Sequence, residues 1–324
     1  MTENTSCVAP IKELMCLSSH PLKSRFVGCL VGCAVGDALG CRFEGLPSLE
    51  VGDVFYGRWT DDTHMMIGVV ESLIANGGFN GSHMAQTFIR NYEREPWRGY
   101  ASGPPRVFRW IKSGVPWDEA AKRLFGGAGS YGNGAAMRVA PVGLLYFDDA
   151  EKLRLVAHAQ SMITHTHELG MEGAAIQAYS VALAVKEQSS VDPQAFLEKL
   201  LGFTSSEVYR RKLKKAVELL EEDAERRRVV RELGNSVEAY NSVPTAVYCF
   251  LRNWRGFRDA VTYAVSLGGD TDTIGAMTGA ISGAYHGVEA IPVLWRNELE
   301  RGAYIEKLAE DLWTLKSKVL GSPA

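Results

Sequence analysis

Residues 268–285 read GGDTDTIGAMTGAISGAY. Asp270 and Asp272 stand two apart, Thr271 and Thr273 alternate with them, and two glycines come just before. From residue 274 to 285 the apolar side chains recur at helical spacing, so the acids and hydroxyls sit at a helix start. That many hard oxygen ligands are costly in a core unless a cation neutralises them. N-capping is the competing reading, because Asp and Thr both cap helices and suit the dipole. One Asp suffices for a cap, and the second calls for a partner elsewhere in the chain.

A counterpart lies far upstream, in Trp59-Thr60-Asp61-Asp62-Thr63-His64. Met65, Met66, Val69, Val70, Leu73 and Ile74 follow at helical spacing, so a second helix opens with one acid more than a cap requires. If the two helix starts meet, they supply four carboxylates and at least two hydroxyls, a set suited to Mg²⁺, Mn²⁺ or Ca²⁺. An EF-hand would need Glu at the twelfth loop position, which counted from Asp270 is Ile281. A phosphoaspartyl hydrolase would place its acid pair after a buried strand. A prenyl-diphosphate-type helical enzyme would place its acids within helices. These alternatives weaken without disappearing.

The rest of the chain supports an all-α reading. Helical spacing covers 23–39, 82–92, 105–112, 117–125, 135–139, 150–163, 171–187, 192–201, 205–233, 243–251, 256–267 and 300–320, with almost no strand-like alternation. Gly28, Gly32 and Gly36 form a small-residue stripe suited to close helix packing. Segment 221–232 (EEDAERRRVVRE) reads as a solvated helical face with i,i+4 ion pairs. Of 324 residues, 46% are hydrophobic, enough for a sizeable core, and one compact domain over 22–321 is the economical organisation. Residues 1–21 read as a disordered tail.

A formal net charge of -3 gives no basic footprint for nucleic acid. Cysteines at 7, 16, 29, 33, 41 and 249 show no paired zinc spacing and fit a reducing compartment. No run is long enough to span a membrane, and no secretory core is evident near the start. The expectation is an intracellular, cytoplasmic monomer with no membrane or nucleic-acid partner.

Two further features carry chemistry. Residues 125–134 (FGGAGSYGNG) are the longest glycine-rich loop, able to bring backbone N–H groups close to an anion. Phe125 and Tyr131 flank it and either stack a flat ring or anchor the loop. It lacks the Gly-Lys-Ser/Thr of a P-loop and follows no convincing strand. Thr164-His165-Thr166-His167 ends a helix, where His165 is either a ligand-binding group or a capping one. Asp37 in GDALG and Glu44 behind it are undiagnostic alone.

Five motifs in order resemble the ADP-ribosylglycohydrolase family over about residues 22–320: GDALG with Glu44, WTDDT at 59–63, GSYGNGAAMRVAP at 129–141, ELGNSVEAYNSVPTAVYCFLR at 232–252, and SLGGDTDTIGAM at 266–277. The loop, His165 and the ELGN segment look most like its type-3 ADP-ribosylhydrolases, which act on ADP-ribosylserine and poly(ADP-ribose). The resemblance implies an all-α fold, two Mg²⁺ ions (or Mn²⁺) and bound ADP-ribose. It implies Thr60, Asp61, Asp62, Asp270, Asp272 and Thr273 as metal ligands. Glu44 matches a mobile acid, and the catalytic carboxylates are drawn from Glu44, Asp61, Asp62 and Asp272. Gly129, Ser130, Tyr131, Gly132 and Asn133 match the loop holding diphosphate and ribose, Phe125 and Tyr131 the aromatics around adenine, and His165 a group near the phosphates. ADP-ribosylated proteins or poly(ADP-ribose) are the implied partners. The chain departs from type-3 members in a short stretch between Glu44 and Thr60 and in Ala128, where they often carry Lys. Arginine-linked ADP-ribose is the alternative substrate, and a non-catalytic ADP-ribose reader a further one.

Overall fold

The computed structural model describes residues 11–52 and 54–320. In chain order its α-helices are α1 (Ile11–Gly40), α2 (Asp61–Asn76), α3 (Gly81–Arg94), α4 (Gly103–Lys112), α5 (Ala140–Leu145), α6 (Ala150–Ser161), α7 (Glu168–Lys186), α8 (Pro193–Phe203), α9 (Glu207–Glu221), α10 (Arg226–Leu233), α11 (Ala239–Arg252), α12 (Phe257–Ser266), α13 (Thr271–His286), α14 (Val293–Glu298) and α15 (Gly302–Leu320). Among the described residues no strand forms, and the one extended pairing is an antiparallel bridge between Gly132 and Glu238. The all-α expectation holds.

α1 and α13 form the centre and run antiparallel. Their contact is made by glycine on both sides. A Cβ built on Gly36 would stand 2.0 Å from the Gly275 carbonyl oxygen, one on Gly32 2.4 Å from that of Gly279, and one on Gly28 2.5 Å from that of Gly283. No side chain fits there, so the two backbones touch directly. The stripe at Gly28, Gly32 and Gly36 is therefore structural, and its partner stripe at Gly275, Gly279 and Gly283 went unread in the sequence. Both helices are buried nearly all round in this region, α13 from Thr271 to Ala284, as expected of central helices. Helices α7, α11 and α12 pack on α13, while α15 and α2 cover α1. The result matters for function, because the end of α1 at Gly40 lies against the start of α13 at Thr271 and Asp272.

Several boundaries differ from the sequence reading. The first helix starts at Ile11, ahead of residue 22, and residues 1–10 of the expected tail lie outside the described residues. The helix expected over 205–233 breaks between α9 and α10, with Asp223 at φ +47. The break folds α10 back onto α9 and α11, burying Val229 and Leu233, and Lys212 Nζ donates to the carbonyls of Glu232 and Leu233 at 3.1 and 2.7 Å. Arg228 pairs with Glu222 and Arg226 with Glu50 rather than one turn along a continuous helix. Segment 135–139 holds only the end of a 3-10 turn (Asn133–Ala135), and the helix starts later at Ala140, where Pro141 suits the first turn. Segment 117–125 is likewise no α-helix: a turn at 117–119 leads into a 3-10 element, Ala120–Gly127, kinked at Leu124–Gly126. No helix of the described residues is long and apolar enough to cross a membrane.

Candidate active site

The first turn of α2 has donors to satisfy, and Asp37 from the last turn of α1 takes them. Its fully buried carboxylate accepts from the N–H of Thr60 at 3.0 Å, the N–H of Thr63 at 3.0 Å and the Thr63 hydroxyl at 2.6 Å. Thr60 Oγ1 accepts more weakly from the Asp62 N–H at 3.4 Å. Capping is thus supplied from another helix. Asp61 and Asp62 are left without the role that the simplest reading of a helix start would give them.

The start of α13 is set by its own loop. Gly268 and Gly269 have φ +72 and +75, and Gly269 approaches the Asn235 carbonyl so closely that a Cβ would stand 2.2 Å from it. The Asp270 N–H donates to that same carbonyl at 2.8 Å, while Asn133 Nδ2 donates to the Asp270 carboxylate and to Ser242 Oγ. Asp272 accepts from the N–H of Thr273 at 2.9 Å. The Glu44 loop is held to the same turn: Gly45 N–H donates to the Gly269 carbonyl at 2.8 Å, and Gly269 N–H to that of Leu46 at 2.9 Å. Glu44, Asp270 and Asp272 consequently present oxygens all within 4.8 Å of one another, Glu44 exposed and the two aspartates buried.

Electrostatics joins the two helix starts. Burial pushes the Asp62 carboxyl well above its ordinary value, and Asp272, Asp37, Asp61 and Asp270 push it further. Asp61 is raised to about 8 by burial first, then by Asp37, Asp270 and Glu44. Asp272 is raised well above 3.8 by burial, Asp270, Asp37 and Glu44. Asp270 rises through burial against the hydrogen bonds from Asn133 and Thr273, and Glu44 through burial and Asp270. Burial raises Asp37 to about 6 despite the hydrogen bonds from Thr60 and Thr63. No lysine or arginine is among the leading influences on any of these groups, and Asp62 Oδ1 is buried without a hydrogen-bond partner. Hard oxygens, mutual repulsion and an orphaned carboxylate oxygen form a set that a divalent cation could neutralise. Two helix N-termini converging here add partial positive charge.

The glycine-rich loop borders this cleft through Asn133. It is pinned by the N–H of Asn133 on the Val237 carbonyl, the N–H of Ala239 on the Tyr131 carbonyl, and the N–H of His167 on the Ser130 carbonyl, at 2.9, 3.0 and 3.3 Å. Gly129 has φ +73, and a Cβ on it would meet Thr166 Oγ1 at 2.3 Å. The amides of Gly129, Gly132 and Asn133 are used internally. Among the described residues, the Ser130 and Tyr131 amides remain open for an anion. His165 lies beneath the loop, buried and neutral, its pKa lowered to about 3 by burial and Arg138. Arg138 donates to Thr164 Oγ1 at 2.7 Å, and the same hydroxyl pairs with His165 Nδ1, also at 2.7 Å. His165 Nε2 lies on the side of Gly132 and Gly134, whose Cβ positions would stand 3.4 and 3.1 Å from it.

Both aromatics of the loop are exposed. Tyr131 is exposed beside His167 and Tyr240, at ring distances of 5.4 and 6.1 Å. Phe125 is 69% exposed at φ +52, a rare backbone state for an aromatic residue, and touches no other ring among the described residues. Sequence reasoning missed Asn235 and Ser242, and gave Asn133 no part in holding Asp270. Their place in the ELGNSVEAYNS motif was the available signal.

These features define an all-helical protein whose chemistry gathers in one acidic cleft, built from helix starts at opposite ends of the chain. The family model described as ADP-ribosylglycohydrolase matches residues 18–319. ADP-ribosylhydrolase ARH3 of Bos taurus is 37% identical, with 92% of this chain and 94% of the relative aligned, and that of Homo sapiens is 36% identical over 89% and 93%. ADP-ribosylarginine hydrolase Tri1 of Serratia proteamaculans is 29% identical over 88% and 78%. A solved structure titled ADP-ribosylglycohydrolase-related protein complex superposes with a TM-score of 0.74 at 28% identity, covering 92% of this chain and 99% of the other. The chain belongs to the ADP-ribosylglycohydrolase family, and it is a hydrolase.

Proposed function

We propose that this protein is a Mg²⁺-dependent ADP-ribosylhydrolase. On this reading it cleaves the O-glycosidic bond at C1″ of ADP-ribose, on protein serine or between poly(ADP-ribose) units. The observation that carries the reading is the buried carboxylate set left over once Asp37 has capped α2. Thr60, Asp61, Asp62, Asp270, Asp272 and Thr273 would hold two Mg²⁺ ions, with Mn²⁺ an acceptable substitute. When bound, the ions supply Lewis-acid charge that orients ribose hydroxyls and acidifies water.

The chain's own residues do the remainder. The Ser130 and Tyr131 amides offer donors to the diphosphate, with His165 close beneath the loop, while Tyr131 and Phe125 offer faces to adenine. Hydrolysis adds a water oxygen to C1″, breaks the C1″–O bond and delivers a proton to the leaving oxygen. Glu44, exposed at the rim with a raised pKa, can exchange that proton with substrate and solvent, whereas Asp61, Asp62 and Asp272 lie deeper. The resemblance of the glycine-rich loop, His165 and the ELGN segment to type-3 enzymes favours the O-linked substrates, and similarity to ADP-ribosylarginine hydrolase Tri1 keeps arginine-linked ADP-ribose as the second reading.

Turnover on serine-linked, arginine-linked and polymeric ADP-ribose, with and without chelator, tests this directly. Release of free ADP-ribose is expected from the serine-linked and polymeric substrates, lost on chelation and restored by Mg²⁺. Asp61→Asn and Asp272→Asn are each expected to lower kcat/KM by more than about 100-fold with the helical content intact. Unchanged turnover after chelation or in either variant overturns the metal mechanism, and faster release from arginine overturns the linkage. Binding of ADP-ribose with no release identifies a reader instead.

A further inference from the structure

We infer that Arg98 is a positioning residue for the α2 half of the acidic site, an inference that rests on the metal-dependent reading above. Arg98 lies between α3 and α4 and is 5% exposed. Its guanidinium stands 3.7 Å over the Trp59 ring, and Nη1 donates to the Trp59 carbonyl at 3.1 Å. Nη1 and Nη2 fork onto the Glu300 carboxylate at 2.8 and 2.6 Å, and Nε donates to Glu95 at 2.7 Å. The far carboxylate oxygen of Glu95 accepts from Arg301, which sits at φ +54.

This cluster fixes the backbone that leads into Thr60. Trp59 Nε1 donates to the Glu300 carbonyl at 2.7 Å, and the Glu300 N–H donates to the Gly57 carbonyl at 2.9 Å. Gly57 has φ +66, and a Cβ there would lie 1.8 Å from the Glu298 carbonyl oxygen, so segment 57–59 is bound tightly along 298–300. On the other side of Arg98, Gly99 backs the acids: its Cβ position is 3.5 Å from Asp61 Oδ1 and 3.8 Å from Thr60 Cβ. One guanidinium therefore anchors both the chain entering Thr60 and the loop behind Asp61, without touching a carboxylate of the site. Asp37 sets the first turn of α2 from within, and Arg98 sets it from outside.

Lysine cannot take this place. Three donors on a compact ammonium cannot reach the Trp59 carbonyl, Glu95 and a forked Glu300 together, nor lie flat on the Trp59 ring. Arg154 offers a matched control elsewhere. Its guanidinium is 3.8 Å over the Phe203 ring, it pairs with Glu172 at 2.9 Å, and it donates to the Phe203 carbonyl.

The test is calorimetric titration of the purified full chain with Mg²⁺ alone, together with the Tm of the metal-free protein. Wild type is expected to bind Mg²⁺, and Arg98→Lys to bind it at least about tenfold more weakly, the usual cost of disturbing groups behind metal ligands. Arg154→Lys is expected to lose Tm while keeping wild-type affinity. If wild type binds no Mg²⁺, the metal-dependent reading itself fails. If wild type binds and Arg98→Lys binds equally well, the positioning role alone fails. Equal loss of affinity in both variants also overturns it, since Arg98 would then act only through general stability. Should Arg98→Lys not fold, Trp59→Phe removes the donor to the Glu300 carbonyl while keeping a ring under the guanidinium; a reduced Mg²⁺ affinity supports the role and an unchanged one overturns it.

Discussion

At the scale of single residues, the acidic site inverts the usual relation between a polar group and stability. Burial above all, and then repulsion from Asp37, Asp270 and Glu44, penalises the Asp61 charge, so in the metal-free protein that charge opposes folding. Asp61→Asn removes that charge at nearly constant volume. The metal-free variant is expected to melt about 2–4 °C above wild type, corresponding to about 1 kcal/mol, while losing turnover. Parallel thermal melts in chelator and activity assays check both halves; a lower metal-free Tm would show that the carboxylate instead holds the fold. Individual acids were legible in the sequence because an excess of Asp at a helix start is a local pattern. Asp37 was undiagnostic in the sequence, because its donors come from Thr60 and Thr63 at the start of another helix.

At the scale of elements, two short positions carry opposite predictions for the same substitution. Gly36→Ala places a methyl group 2.0 Å from the Gly275 carbonyl oxygen, so α1 and α13 must separate. A loss of about 3 kcal/mol or more is expected in denaturant unfolding, at the upper end of overpacking costs. Gly202→Ala, in α8 with no atom within 4 Å of the added carbon, is expected to be neutral or to stabilise by up to about 1 kcal/mol through helix propensity. Equal effects at both sites would show that the central contact yields easily. Long amphipathic helices were readable from periodicity. The break at Asp223 was not, because the charged run 221–232 continues a helical pattern and only burial of Val229 and Leu233 decides the turn. The stripe at Gly275, Gly279 and Gly283 was hidden because close packing is a property of two helices, and one helix read alone shows only small residues.

At the scale of the whole molecule, the carboxylates make stability depend on pH in a way the cation should reverse. Asp61 sits at about 8 in the folded protein against an ordinary 3.8, so folding favours its protonated form. That contribution is complete below 3.8 and is lost as pH rises through about 8. Asp62 and Asp272 act in the same direction. Glu95, Glu172 and Glu300 have lowered values and act oppositely in acid, so absolute melting curves mix the two. The difference between Tm with Mg²⁺ and Tm in chelator isolates the acidic site, and it is expected to grow as pH rises from 3.8 to about 8. A difference independent of pH would contradict the assignment of these groups as cation ligands.

The backbone contact between α1 and α13 has a kinetic corollary. Gly36 and Gly275 are far apart in the sequence, so their meeting closes a long loop. Contacts of such separation slow folding and tend to come after local helix pairs such as α6 with α7 or α2 with α3. Nascent chains emerging from synthesis would carry Asp61 and Asp62 for a long interval before Asp270 and Asp272 exist to face them. A chain that stops short of Asp270 therefore carries only the α2 half of the acidic cluster.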